Sequence, residues 1–285
     1  MNAIDCLLSG LIDYAGLYPP ASLDMQTAAR NYLAYRKNGY SALLGRFIVD
    51  GSRLPELREV VGDAIADMPL SVIASSVTDV SNIAQFRKDG FHVESIEMKP
   101  GGLDEIGLKT AWRPPEITTL YFEVPMMPLD VEVLTSIRMV SARVKIRTGG
   151  ITAAGFPSSA GIAAMLTAMA GRDLEFKATA GLHHPIRGCH PFTYKPDSET
   201  GMMHGFLNLF LAATDVYFGG TEERAQQILD EEDAEAFRMT ADTIGWRSLQ
   251  WSTEQLRTVR GEFAMSFGSC SFVEPIQGLE RMGWL

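Results

Sequence analysis

Six short apolar segments are separated by helical segments between residues 42 and 185, and this alternation is the feature that most restricts the fold. The apolar segments have the length of buried strands, and the intervening segments have helical spacing of their apolar residues. Strands that alternate with helices in this way are typical of βα units around a parallel sheet. Six units in unbroken succession favour a (β/α)8 TIM-type barrel over an open, doubly wound sheet. No GxGxxG motif follows the first strand, so the usual Rossmann signature is missing.

The chain length fits one barrel domain. We expect a single domain over residues 1–285, in which residues 1–40 form an N-terminal loop and helix, residues 42–185 form six βα units, and residues 186–285 add helices and close the barrel. The alternation breaks down after residue 186, so the sequence does not place the last two barrel strands. The C-terminal third is therefore expected to be elaborated and partly irregular.

The composition narrows the class of partner. The net charge is −10, and an acidic chain repels phosphate backbones and anionic membrane surfaces, so we expect no nucleic acid and no membrane partner. Three widely spaced cysteines without a CxxC pair indicate a reducing compartment. Because no signal-peptide pattern or membrane-length apolar run is recognisable, the expected location is the cytoplasm. The apolar, Met-rich helix predicted at 202–216 fits either a core helix or the interface of a homo-oligomer.

Ionisable residues occupy one face of four adjacent predicted strands. Because strand side chains alternate between faces, the apolar face packs under the helices and the other face points into the barrel. Charges inside a barrel are unfavourable unless they are paired, and enzymes of this fold place their reactive groups at the carboxyl ends of the strands. The inward set comprises Glu97, Lys99, Tyr121, Glu123, Lys145, Arg147, Lys177 and Thr179. It predicts an active site, with a purely structural ion-pair network as the alternative.

Lys145 and Lys177 lie on neighbouring predicted strands, which are about 4.8 Å apart in a sheet. Two ammonium groups at that spacing disfavour each other's charge, so one pKa is expected to fall. A neutral lysine amine can attack a carbonyl carbon and form a Schiff base, which then serves as an electron sink for making or breaking a carbon–carbon bond. Glu123, one strand away, is the expected proton-transfer group.

Two motifs on these strands, VKIRTGG and FKATAGL, resemble the deoxyribose-phosphate aldolase family, a family of class I aldolase barrels. The resemblance covers residues 143–182 only. It implies that Lys145 is the Schiff-base lysine and Lys177 the neighbouring activating lysine, and thus an aldolase-like lyase with no cofactor. Arg147 stands where that family has a small polar residue, and two histidines follow where the family has a glycine-rich phosphate loop.

The glycine-rich loop after Arg147 is expected to bind an anion. Free backbone N–H groups in such a turn bind phosphate or carboxylate groups, and a neighbouring arginine adds charge. The alternative is an ordinary βα loop whose glycines need positive φ. A basic interior in an acidic protein favours the anion and predicts a small anionic carbonyl compound as the substrate. The expected substrate-binding residues are Arg147, Thr148, Gly149, Gly150, Lys99, Glu97, Thr179, His184 and Asp13.

Four of the five histidines occur within residues 183–204. We expect acid–base catalysis by His183 and substrate binding by His184. The cluster also permits a second interpretation, a hydrolase or lyase that uses a divalent metal, although His183 and His184 would point in opposite directions on an extended segment. His204 also fits a satisfied position in a helix. A third interpretation is a barrel that binds an anion without catalysis.

Two further segments leave alternatives open. Cys270 in GSCSFVEP is a nucleophile only if the fold brings a base such as His183 beside it, and is otherwise a buried structural cysteine. The segment DYAGLYPPAS either covers the mouth of the barrel, with Asp13 reaching inward, or plugs its base.

Overall fold

Eight parallel strands close into a barrel in the computed structural model, which describes residues 2–117 and 119–285. In chain order the strands of the described residues are β1 (Ile12–Tyr14), β2 (Leu44–Asp50), β3 (Leu70–Ile73), β4 (Val93–Met98), β5 (Thr119–Val124), β6 (Arg143–Arg147), β7 (Phe176–Thr179), β8 (Gly188–Pro191), β9 (Thr200–Met203), β10 (Phe237–Met239), β11 (Thr243–Trp246), β12 (Leu249–Ser252) and β13 (Ala264–Ser269). Strands β1 to β7 follow one another around the barrel, and β13 closes it between β7 and β1.

Helices alternate with these strands, which confirms the predicted (β/α)8 TIM-type barrel. The helices are α1 (Ala3–Leu8), α2 (Met25–Tyr35), α3 (Leu54–Val61), α4 (Val77–Lys88), α5 (Leu103–Trp112), α6 (Val131–Met139), α7 (Ser159–Ala170), α8 (Phe206–Tyr217), α9 (Glu222–Asp230), α10 (Thr253–Glu262) and α11 (Val273–Arg281). Short 3-10 turns lie at Ser41–Leu43, Gly51–Arg53, Gly62–Asp67, Ala153–Gly155 and Ala234–Ala236.

The ends of the chain supply the two barrel strands that the alternation did not locate. The region expected to be only loop and helix contains β1, a three-residue strand with Asp13 at its centre. The last barrel strand is β13, whose sequence AMSFGS is rich in small residues. Neither strand has a run of large apolar residues, and the two pair with each other although they lie near opposite ends of the chain.

The irregular C-terminal third consists of small sheets attached to the barrel. Strands β8 and β9 pair as an antiparallel hairpin, and β10, β11 and β12 form a three-stranded antiparallel sheet. Every residue of α8 from Phe206 to Val216 is buried, and the helix packs against α7, α9, α10 and β13. Within the described chain, α8 is therefore a core helix.

Local sequence signals explain several helix starts. The serine predicted to begin α7 is the N-cap: the Ser158 hydroxyl accepts a hydrogen bond from the Gly161 N–H at 3.1 Å. Ser76 and Ser252 form capping boxes with Asp79 and Gln255 at the starts of α4 and α10. Each cap satisfies backbone N–H groups that have no partner inside the helix.

Residues 153–170 are the one described segment that is long and apolar enough to cross a membrane by length and composition. This segment is longer than the apolar run recognised in the sequence. It includes α7, which buries Ile162, Leu166 and Met169 and packs against α8 and α9. Its apolar character therefore has an explanation in the packing of the barrel.

Candidate active site

A cavity of about 530 Å³ lies at the carboxyl ends of the barrel strands. Its wall includes Lys145, Glu97 and Glu123 from the strands and Thr179 and Gly268 from the strand ends. Tyr18, Pro19 and Pro20 also line it, so the segment after β1 covers the mouth of the barrel rather than its base. The position is the one at which barrels of this type carry their reactive groups.

The strand register explains why the charged side chains converge. Lys145 lies opposite Lys177 on one side and opposite Glu123 on the other, and Glu97 lies opposite Tyr121. Since side chains alternate along each strand, residues paired in this way share one face of the sheet. All members of the predicted inward set except Lys99 are therefore neighbours on the barrel strands, and Lys99 lies beyond the end of β4.

Lys145 lies between two carboxylates. Its Nζ is 2.7 Å from Oε2 of Glu97 and 2.8 Å from Oε2 of Glu123. Its side chain is only 5% exposed, yet it lines the cavity. An almost buried lysine side chain thus borders the space that a ligand in the cavity would occupy.

Lys177 lies deeper. Its side chain is fully buried, and its Nζ is 2.5 Å from Oδ2 of Asp13 and 2.8 Å from Oε1 of Glu97. Asp13 also accepts hydrogen bonds from the Ser266 hydroxyl and from the backbone N–H of Arg46, each at 2.8 Å. Neither Lys177 nor Asp13 lines the cavity. The structure therefore places Asp13, an expected substrate-binding residue, beneath the site.

Charge pairing keeps this network ionised despite its burial. Burial alone would raise the pKa of Glu97, but Lys145 and Lys177 outweigh it and hold that pKa well below its usual value. Burial opposes the charge of Lys177 too, and Asp13 and Glu97 overcome it and raise the pKa of Lys177. The pKa of Asp13 is lowered against its own burial, mainly by Lys177 and Arg46.

This arrangement corrects the expectation of repulsion between the two lysines. Direct proximity was expected to lower one lysine pKa, whereas the pKa of Lys177 is raised. The reason is the carboxylate of Glu97, which contacts both ammonium groups through different oxygens. The sequence placed Glu97 on the correct face but did not show that it bridges the pair.

Arg147 and Glu123 form the rim of the site. The Arg147 side chain is 52% exposed, and its guanidinium contacts Oε1 of Glu123 at 3.1 Å. Burial opposes the charge on Glu123, and the pKa of this residue is nevertheless lowered by Lys145 and then Arg147. Lys99 lies just beyond β4, is exposed and lines the same cavity. The two exposed cations can meet an anion at the mouth.

The residues of the glycine-rich loop have different surroundings. The buried Thr148 hydroxyl donates to the backbone carbonyls of Ala180 and Thr179, at 2.8 and 3.2 Å, so it joins two loops. A Cβ at Gly149 would come within 2.7 Å of the Gly181 Cα, and the φ of Gly149 lies outside the left-handed region. Gly149 therefore serves close packing of the loops after β6 and β7, and Gly150 lines the cavity.

His183 belongs to a second cluster of polar side chains at the cavity wall. Its Nδ1 is 2.9 Å from Oε2 of Glu274, and its Nε2 is 3.9 Å from Sγ of Cys270. The Tyr194 hydroxyl donates to the same Glu274 oxygen at 2.8 Å and lies 3.6 Å from Sγ of Cys270. His183 and Cys270 line the cavity with Lys145. The fold thus brings His183 beside Cys270, which was the condition for Cys270 to act as a nucleophile.

The other histidines of the sequence cluster separate into different environments. His184 stacks on His190 with ring centroids 3.5 Å apart, and neither ring lines the cavity. His204 Nε2 is 2.7 Å from the carbonyl oxygen of Pro157. Over residues 2–117 and 119–285, no group of three or more His, Cys, Asp or Glu side chains is arranged to hold a metal ion.

Several site residues were missed by sequence reasoning. Ser71 donates to Oε1 of Glu97 at 2.6 Å and lies 2.6 Å from the Ser95 hydroxyl, and Ser266 supports Asp13. The alternation signal that identified Glu97 would also have identified Ser71 and Ser95, since both are buried polar residues on strands. Tyr194 lies in an irregular segment and carries no comparable signal.

Comparison of the chain with protein-family models, with curated proteins and with solved structures finds no match. The structure itself defines a (β/α)8 barrel whose cavity, at the carboxyl ends of the strands, is lined by charged groups. Such an architecture is compatible with an enzyme.

Proposed function

We propose that the protein is an enzyme that forms an imine between Lys145 and the carbonyl carbon of a small anionic metabolite. The imine would serve aldol, retro-aldol or related lyase chemistry, as the aldolase resemblance implies. One observation carries the proposal: Lys145 of the buried network lines the cavity, with a carboxylate on either side of its Nζ. A lysine in this position has carboxylates beside it that can take its proton, the step that frees the amine to attack a carbonyl carbon.

The division between the two lysines follows from their exposure. Lys177 is fully buried and bonded to Asp13 and Glu97, and its raised pKa favours the ammonium form. We assign it a positioning role, in which it keeps Glu97 ionised and oriented. Lys145 is the amine that a substrate in the cavity can reach.

Glu123 is the proton-transfer group in this scheme. Glu123 takes a proton from the Lys145 ammonium, and the neutral amine attacks the carbonyl carbon of the substrate. Glu123 then gives this proton to the former carbonyl oxygen, and the carbinolamine loses that oxygen as water. The product is a protonated imine in place of the ammonium. Because the charge at this position is again +1, both carboxylates stay paired, and the positive imine withdraws electrons from the bond that breaks or forms.

The cations at the mouth support an anionic substrate. Arg147 and Lys99 both line the cavity and are exposed, in a protein whose net charge is −10. Arginine binds carboxylate and phosphate through paired N–H donors. The proposal requires no cofactor and no nucleic-acid or membrane partner, and we place the reaction in the cytoplasm.

Hydrogen exchange at carbon provides the test. An imine enzyme labilises the hydrogens next to the bound carbonyl, so the protein in D2O should exchange these hydrogens in pyruvate, acetaldehyde or dihydroxyacetone phosphate, followed by proton NMR. We expect Lys145→Met to reduce the exchange at least about a hundredfold and Lys88→Met, on the exposed end of α4, to leave it unchanged. Binding of these compounds without exchange would instead support an anion-binding barrel without catalysis.

A further inference from the structure

The surroundings of Cys270 are polar, which is unusual for a cysteine that only fills space in a core. It follows β13 directly, at the carboxyl end of a barrel strand, and is 6% exposed. Its sulfur lies 3.9 Å from Nε2 of His183 and 3.6 Å from the Tyr194 hydroxyl. A thiol with an imidazole and a phenol as neighbours, on a cavity wall, has the setting of a reactive group.

The orientation of the imidazole follows from its second contact. An ionised carboxylate only accepts hydrogen bonds, so Nδ1 of His183 donates to Glu274 across 2.9 Å. In the neutral ring this leaves the lone pair on Nε2, the nitrogen that faces the sulfur. Glu274 lies in the first turn of α11, where Tyr194 also donates to it. Cys270 is therefore placed as a nucleophile, His183 as its base and Glu274 as the group that orients the base.

We propose that Cys270, His183 and Glu274 form a second catalytic centre of this cavity, at which Cys270 attacks an acyl carbon of a small ester, thioester or amide. This centre is separate from the imine chemistry of Lys145. A ligand in the same cavity can reach either group, since both line it.

The proposed acyl transfer has two halves, formation of a thioester on Cys270 and cleavage of that thioester. With the proton of the pair on His183 Nε2, the sulfur of Cys270 forms a bond to the acyl carbon, and the bond from this carbon to its leaving atom breaks as that atom receives the proton from Nε2. The thioester is then attacked by the oxygen of water or of an alcohol, which gives its proton to Nε2, and the sulfur departs with the electron pair of its bond to the acyl carbon. Burial opposes the charge of His183, but Cys270 and Glu274 outweigh it and raise the pKa of His183 to about 9. The raised pKa stabilises the imidazolium in both halves of the reaction.

The chain contains its own controls for a test of this centre. Cys189 is exposed on the β8–β9 hairpin, and Cys6 is buried in α1 away from the cavity. We expect iodoacetamide at pH 7, with mass mapping over time, to modify Cys270 at least about tenfold faster than Cys189 and to leave Cys6 unmodified. His183→Gln should slow the modification of Cys270 about tenfold and leave that of Cys189 unchanged. Glu274→Gln should also slow it, to a smaller extent.

An ester probe tests the acyl step. We expect p-nitrophenyl acetate to release p-nitrophenolate in a burst and to leave an acetyl group on Cys270, with no burst in Cys270→Ser. The proposal is overturned if Cys270 of the unaltered protein reacts no faster than Cys189, a comparison that needs no variant to fold. An acetyl group on another residue, with the burst intact in Cys270→Ser, would overturn it as well. Alkylation and acetylation are located on Cys270, whereas imine formation is located on Lys145 by reductive trapping, so this centre and the imine proposal can fail separately.

Discussion

Lys145 and Lys177 are direct neighbours across β6 and β7, and their ammonium groups contact opposite oxygens of one carboxylate, that of Glu97. The bridge explains how two cations share a buried site. It also gives the lysines different tasks, because one lines the cavity and the other is enclosed beneath it.

Replacing Lys177 by methionine should destabilise the fold strongly. The change leaves Asp13 with only Arg46, 3.8 Å from its Oδ1, and Glu97 with only Lys145. Removing one partner of a buried ion pair lowers the free energy of unfolding by about 3–5 kcal/mol. Urea unfolding followed by circular dichroism measures the difference. Lys109→Met is the matched control, since Lys109 pairs with the exposed Glu105 and its loss should lower that free energy by less than about 1 kcal/mol. Equal effects of the two changes would show that the buried network adds little stability.

The same network should make stability fall in acid. The pKa values of Asp13 and Glu97 in the fold are held below their ordinary values of 3.8 and 4.5. This contribution is fully present above the ordinary values and is lost as pH falls through the lower folded-state values, because the unfolded chain binds protons first. We expect the free energy of unfolding to decline from about pH 5 downward, and less steeply in Asp13→Asn. An identical acid slope in that variant would contradict the assignment.

Neighbouring His183 and His184 should titrate far apart. Burial works against the charge of both, but Cys270 and Glu274 raise the pKa of His183 to about 9, whereas burial with His190 lowers the pKa of His184 to about 4. The stabilising interactions of His183 are thus present below its ordinary value of 6.5 and are lost as pH rises through about 9. Nitrogen-15 NMR titration of the imidazoles measures both midpoints. Midpoints close together near 6.5 would contradict the described surroundings.

Gly149 should not tolerate a side chain. A Cβ there would lie 2.7 Å from both the Gly181 Cα and the Phe156 ring, so Gly149→Ala must separate the loops after β6 and β7. We expect a loss of about 1–3 kcal/mol in the free energy of unfolding, measured by urea titration. Gly107→Ala in α5 is the control: a Cβ there meets nothing within 4 Å, and alanine favours a helix. A Gly149→Ala protein as stable as the control would refute the close packing.

The sequence was most informative where strands are long and apolar. Strands β2 to β7 follow the expected alternation with helices, since each strand keeps apolar residues on the face that packs under the helices. Strand β1 has three residues, including Asp13, and β13 is rich in Gly and Ser, so neither produces such a pattern. Their pairing with each other depends on contacts between the two ends of the chain, which local periodicity does not encode.

In the site, too, the sequence predicted which face of a strand each charged residue occupies but not which residue it pairs with. Alternation placed Glu97, Glu123, Lys145 and Lys177 on the inner face, because that depends only on neighbours along a strand. Which charges pair depends on the register between strands, and so the bridging role of Glu97 was not predicted. The contact of Cys270 with His183 joins residues 87 positions apart and follows only from closure of the barrel.

Reductive trapping measures the central claim most directly. The protein is incubated with pyruvate, acetaldehyde or dihydroxyacetone phosphate and then with sodium borohydride, which reduces an imine to a stable amine, and peptide mass mapping locates the adduct. The account predicts one adduct, on Lys145, which is lost in Lys145→Met and retained in Lys88→Met. Trapping on Lys177 or on the exposed Lys99, or hydrogen exchange without any trapped lysine, would contradict it.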